Sequence, residues 1–555
     1  MSGPSTRPGN SKLAAATLLR GAASFTSLAI RAGLLVAALC QPSLSQTLPE
    51  ILSHARQASG YDKLTGTLEL HGRATVYGLS GPLVFTLAPD GRFRWTADLP
   101  IPAGAGYDGR EWWEVDQSRV PVVHSPGDPG AAIPLPWILT GRWTDPNSGV
   151  EASLAPGSNS KRIVLDLRMP GANAEGQLTL DRAAFLPVSF KTGPAHYEVA
   201  CEFQNYRKEQ GLNLAHRWNA SQATQNTSFV IADASVVSQV SFAAPDPPAD
   251  TRFDPKLAAA VDTRASNTGQ LLVRPRLNGK DVGWFLLDSG AGGMVITPEV
   301  ADRLGMESIG KIGVLGIGGP LNTILRRGAT FELGGMSIDG LLFSQVDMTP
   351  LAKLLGVDAF AGVVGYDVLA RAVVELDPAS HTMTMFDPAQ YQSPAAEWQP
   401  ISLAGKIPQV RATYEGGRQG TFTLDLGSNA GVMFNAPAVT HNHLIDSRAT
   451  QVAYPLQGVG DFRTEWRRGT LEWIQLGSQR IETIQAGFVT LAAPGTPLND
   501  PRIDGSLGTA ALGRLKVIFN YPSRKIAFLS SSSGMQAHKT LPTPDSLGTT
   551  LIFPY

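Results

Sequence analysis

The sequence predicts a mainly β protein, with a β-rich N-terminal region ahead of two consecutive copies of a smaller β unit. Three observations predict it. Short apolar–polar alternations separated by turn residues run through most of the chain. Glycine and proline, at 58 and 40 residues, supply those turns. A set of short segments recurs in the same order 137 to 143 residues later.

Residues 1–45 read as a signal peptide. Arg7, Lys12 and Arg20 form a basic stretch, Ala32 to Cys40 an apolar run, and Ser43-Leu44-Ser45 a small-residue site before Gln46. The chain is therefore expected to be exported, periplasmic or extracellular, with no integral membrane segment after processing. An uncleaved anchor over 21–40 and a lipidated Cys40 are the alternatives. With Cys40 removed, Cys201 is alone, so no internal disulfide forms and the thiol is expected to be buried.

Residues 46–250 are the β-rich N-terminal region. A short amphipathic helix over 47–59 gives way to alternating runs, such as Pro82 to Leu87 and Gln177 to Leu180. The Pro/Asp-rich stretch 245–255 reads as a linker, and Pro388, Pro394 and Pro400 mark a second break. Between and after these breaks lie two units, 256–392 and 398–532, followed by a tail over 533–555.

The units match at four places in order. Phe285-Leu286-Leu287-Asp288-Ser289-Gly290 matches Phe422-Thr423-Leu424-Asp425-Leu426-Gly427. Arg326-Arg327-Gly328 matches Arg467-Arg468-Gly469, and Leu333-Gly334 matches Leu476-Gly477. Gly362-Val363-Val364-Gly365 matches Gly505-Ser506-Leu507-Gly508. Each copy carries an aspartate directly after an apolar strand, where burying a carboxylate is costly. The glycine two residues on lets the backbone turn back and offer amide N–H groups to it. A pseudo-twofold axis relating the copies would bring Asp288 and Asp425 face to face. Two close carboxyls share a proton, so one member can activate water while the other polarises a carbonyl.

Leu287-Asp288-Ser289-Gly290-Ala291 resembles the active-site turn of the retropepsin and pepsin family of aspartic proteases. Val363-Val364-Gly365-Tyr366-Asp367-Val368-Leu369 resembles that family's apolar-apolar-glycine element. The resemblance implies two retropepsin-like half-domains forming an in-chain pseudo-dimer, and an aspartic endopeptidase with Asp288 and Asp425 as the catalytic pair. The active-site turns are then Ser289, Gly290 and Ala291 in the first copy, and Leu426, Gly427 and Ser428 in the second. Gly316, Ile317, Gly318 and Gly319, with Gly458, Val459 and Gly460, would form flaps over an extended peptide. Ser289 would brace the turns across the axis. The second motif departs from the family, because Leu426 stands where a bracing hydroxyl is normal; Ser428 is the candidate to replace it. The N-terminal region resembles the half-barrel of periplasmic lipoprotein carriers, on its repeated strands and Gly106-Tyr107-Asp108-Gly109-Arg110-Glu111-Trp112-Trp113. It is read as an accessory domain packed on its neighbour. The alternative function is a catalytically inactive periplasmic protein that binds a peptide or lipid in the cleft and this domain.

Other chemistries lack their motifs. There is no His-Glu-x-x-His, Gly-x-Ser-x-Gly, Cys-x-x-Cys or phosphate loop, so no metal or cofactor is expected. A net charge of -1 gives no field to attract nucleic acid. The expected partner is a peptide or protein substrate. Because both aspartates lie in one chain, the site does not require a homo-oligomer.

Overall fold

A computed structural model describes residues 46–531, except 125–131, 173, 194–197, 223–224, 317–318, 329, 378–379, 381, 394–396, 447, 453–463 and 493–495. The signal-peptide reading, the tail and the glycines at 458 and 460 with Val459 lie outside the described residues, as do Ile317 and Gly318. The described chain is mainly β.

The N-terminal region forms one antiparallel sheet, thirteen strands wide among the described residues. Its chain starts mid-sheet. Thr67–Val76 pairs on one side with Leu79–Leu87 and on the other with Gln225–Val237, so the first and last strands are neighbours. Alternation sets the buried face: Leu68 and Leu70, Leu165 and Leu167, Leu178 and Leu180 and Leu212 and Leu214 all point inward. Helices Leu48–Ser59 and Leu135–Thr140 pack on the strand Leu212–Gln222. Cys201 is buried in this sheet, and burial pushes its thiol up to about 12.

The stretch over 245–255 is more than a linker. Thr251–Phe253 is a strand paired with Met336–Ile338. The preceding Asp250 is buried and takes two hydrogen bonds from the Arg371 guanidinium, at 2.9 and 2.7 Å. Arg371 also donates to Ser118 O at 2.8 Å, and Arg119 pairs with Asp250 at 2.9 Å. A buried bidentate pair holds one geometry far better than an exposed one. This segment therefore fixes the N-terminal sheet to the first unit.

The two units repeat one topology. In the first, Trp284–Leu287 lies parallel to Phe360–Val364, which runs antiparallel to Met294–Ile296. In the second, Arg418–Leu424 lies parallel to Gly505–Leu507, which runs antiparallel to Val432–Phe434. Short helices follow at matching places, Pro298–Arg303 and Ala436–His441, then Tyr366–Leu369 and Thr509–Leu512. The matched glycines Gly334 and Gly477 share a φ of 58°, the left-handed conformation glycine adopts without strain. The units join where Val373–Asp377 pairs antiparallel with Leu515–Asn520. One apolar core runs through both, containing Leu287, Val364, Leu424, Leu426 and Leu507.

The first unit also shares a core with the N-terminal sheet. Leu272, Leu286, Val295 and Val363 pack in one cluster with Leu70, Phe85, Trp218 and Phe229. The hairpin Glu307–Gly316 with Gly319–Arg327 joins that cluster through Ile309, Ile312, Val314 and Leu325. Its stem is hydrogen-bonded to the sheet: Lys311 N donates to Tyr77 O at 3.0 Å, and Gly313 N to Gln225 Oε1 at 3.2 Å.

Candidate active site

Each aspartate leaves its strand in the same way. Asp288 N donates to Val364 O and Asp425 N to Leu507 O, both at 2.9 Å. Each turn then closes on itself, with Ala291 N on Asp288 O and Ser428 N on Asp425 O, both at 3.2 Å. The neighbouring helix seals it: Tyr366 N donates to Ala291 O at 2.9 Å, and Thr509 N to Ser428 O at 2.8 Å. Val363-Val364-Gly365 thus lies directly beside the first turn, and the matched Ser506-Leu507-Gly508 beside the second.

The turns meet across the pseudo-twofold axis. Asp288 Oδ1 accepts from Gly290 N at 2.7 Å and from Gly427 N at 3.1 Å, one donor from each unit. Asp425 Oδ1 accepts from Ser428 N at 3.0 Å. The glycines make this approach possible. A Cβ on Gly427 would overlap the Asp288 carboxyl, and one on Gly290 would stand 2.7 Å from Asp425 Oδ1. Both carboxyls border the same point, since a Cβ on Gly290 would stand 3.1 Å from Asp288 Oδ1 as well, and Asp288 Oδ2 takes no donor from the described residues.

Both side chains are buried. Burial raises Asp288 well above the ordinary carboxylate range, and the Asp425 charge raises it further against the pull of the two glycine N–H groups. Burial also raises Asp425, to about 7, while its contacts with Asp288, Ser428 N and Gly427 N act the other way. The pair therefore titrates as a unit and retains a proton well above the pH at which a hydrated carboxyl loses it.

Ser289 occupies the bracing position. Its hydroxyl donates to Leu424 O at 2.8 Å and accepts from Leu426 N at 3.0 Å, so the first unit grips the second. The return grip is absent, because Leu426 is packed in the shared core. Ser428 does not replace it. Its hydroxyl accepts from Ala430 N at 3.2 Å, inside its own turn, because the backbone there closes before the side chain can cross the axis. Gln270 was not legible as a site residue: fully buried, it donates from Nε2 to Gly427 O at 3.2 Å. A glutamine before a short strand carries no signal of that contact in the sequence.

Of the expected flap residues, Gly316 and Gly319 pair with each other at the end of the first hairpin. The described residues hold no group of three or more His, Cys, Asp or Glu that could bind a metal ion. Among them no helix is long and apolar enough to cross a membrane.

Residues 273–367 match the family model of aspartyl proteases. That span runs from the end of the strand Leu271–Val273 into the helix after Gly365, and so contains the first turn and its supporting element. No curated protein matches the chain. A LolA superfamily protein from Nitrosomonas europaea, known from its crystal structure, is similar at 13% identity, over 35% of this chain and 96% of that one, with a TM-score of 0.26.

Proposed function

We propose that this protein is an aspartic endopeptidase that hydrolyses peptide bonds between Asp288 and Asp425. The observation that carries the reading is the shared carboxyl pair, in which Asp288 is bound by an N–H from each unit. One carboxyl of the pair keeps the shared proton and polarises the scissile carbonyl, while the ionised other takes a proton from the attacking water. The tetrahedral intermediate then breaks down by proton return to the leaving amine, with no covalent enzyme intermediate. The substrate is an extended peptide, whose backbone suits strand-like pairing with a hairpin. Residues 1–45 are proposed to direct export, placing the activity in the periplasm or outside the cell.

The test is cleavage of an unstructured peptide library from pH 3 to 8, read by mass spectrometry, for the wild type, Asp288→Ala and Asp425→Ala. The expected result is wild-type cleavage that falls by about 10³-fold or more in both variants. Folded wild-type protein that cleaves nothing across that range sinks the peptidase reading and leaves a binding cleft.

A further inference from the structure

We propose that Gln270 is a positioning residue for the aspartate pair, a third brace across the axis that makes up for the hydroxyl Leu426 lacks. The inference rests on the peptidase reading of the site and adds a determinant to it. Three observations carry it.

First, the side chain is fully buried and each end is committed. Nε2 donates to Gly427 O, while Oε1 accepts from the hydroxyls of Ser266, at 2.8 Å, and Thr268. Two hydroxyl donors on one end and a carbonyl acceptor on the other fix which way the amide points. The anchoring turn is itself tied down, with Ser266 N on Gln270 O at 2.8 Å and Gln270 N on Ser266 Oγ at 3.1 Å.

Second, the peptide it holds belongs to the site. Gly427 presents its carbonyl to Gln270 and its N–H to Asp288 Oδ1. Glycine has the widest backbone freedom of any residue, so an external restraint matters most there. Ser289 restrains Leu424 and Leu426, and Gln270 restrains the next residue. The side chains that reach Leu424, Leu426 and the carbonyl of Gly427 across the axis are thus both from the first unit.

Third, the symmetric position cannot do this. Leu272 pairs with Leu286 as Gln409 pairs with Thr423, so Gln270 corresponds to Ile407. Ile407 is buried, and its side chain carries no donor. The brace is specific to one unit, opposite the turn whose own hydroxyl is missing.

The experiment uses the full chain with Gln270→Leu and Gln270→Glu, and two readouts. In peptide cleavage, Gln270→Leu is expected to lower kcat about 10- to 100-fold with KM within about 2-fold, because a slackened turn misplaces the reacting groups. A glutamic acid at 270 donates to Gly427 O only while protonated. Gln270→Glu should therefore approach wild-type kcat at acidic pH and fall away as pH rises, a profile that general loosening would not produce. The second readout is the carboxyl carbon NMR titration of Asp288, which needs no turnover. Loss of the Gly427 N–H donor should move it upward in Gln270→Leu by about half a pH unit or more. Wild-type kcat in Gln270→Leu, or an unmoved Asp288 titration in the folded variant, overturns the proposal. A wild type without peptidase activity sinks the reading of the site instead, while the titration still decides the role of Gln270.

Discussion

The two units share a backbone plan but not a neighbour. Leu286, Val295 and Val363 of the first unit are buried against the N-terminal sheet. Strand pairing places Thr423, Met433 and Ser506 at the same positions of the second. Thr423 and Ser506 are only half-buried, and Met433 packs in a small separate cluster with Trp466. The duplicated fold tolerates either surface; what differs is which copy buries that face under another sheet. The asymmetry continues at the axis, where the first unit supplies Ser289 and Gln270 as braces and the second supplies Leu426 as core. One copy has become the holder of the site and the other the part that is held.

The largest test of this comparison exchanges the covered faces. Leu286→Thr buries a hydroxyl against the N-terminal sheet and should cost about 2–4 kcal/mol in denaturant unfolding. The reciprocal Thr423→Leu should stay within about 1 kcal/mol of the wild type. Equal costs would mean that the two faces are covered alike.

Next is the axis. Ser289→Ala removes both bonds to the second turn and should lower kcat by about 10- to 100-fold. Leu426→Thr adds the missing hydroxyl but removes core methyl groups. It should leave kcat within about 3-fold and cost about 1–2 kcal/mol of stability. A large gain in kcat from Leu426→Thr would show the one-sided brace to be a defect.

The pH dependence follows from the raised pair. A carboxyl whose folded pKa lies above its unfolded value binds its proton more tightly in the native state. The stability it contributes is complete below the ordinary carboxylate range and is lost as pH rises through about 7, where Asp425 titrates. Melting temperature should fall over that interval in the wild type. The slope should flatten in Asp425→Asn, because that change also removes the charge that raises Asp288. The acid limb of kcat/KM should likewise sit above the ordinary carboxylate range. A limb below about pH 4 would contradict the burial of the pair.

The smallest expected effect concerns the first hairpin. Gln225→Ala removes the bond to Gly313 N and should raise amide exchange in 307–327 by a factor of a few, corresponding to about 0.5–1.5 kcal/mol of local stability. Exchange in the second unit should not change.

The aspartate turns and the order of elements were legible because they depend on local chemistry. An acidic residue after an apolar strand, a glycine two residues later and a repeat of both are visible in one dimension. The matched Gly334 and Gly477 carried the same turn in both copies. What escaped depends on contacts made only after folding. Asp250 lay in a proline-rich stretch that looked like a spacer, yet it is one end of a buried ion pair with Arg371. Ser428 offered a hydroxyl of the right kind, but its turn directs it to Ala430 N. Gln270 stood before an ordinary short strand, and only the meeting of the two units brings its Nε2 to Gly427 O.

The C-terminal hairpin has a consequence for timing. Arg524, in the turn after Leu515–Asn520, donates to Val123 O of the N-terminal sheet, a contact spanning 401 residues, and pairs with Glu111 across 413. The strand before it also joins the two units. Contacts between such distant residues form late, after the loop-closure entropy has been overcome. The carboxyl pair is therefore assembled only once the last strands have been synthesised and docked. With the peptidase activity proposed above, a chain still growing would carry both aspartates before the geometry that lets them act, and would be spared from cutting itself or its neighbours while it is most open to attack.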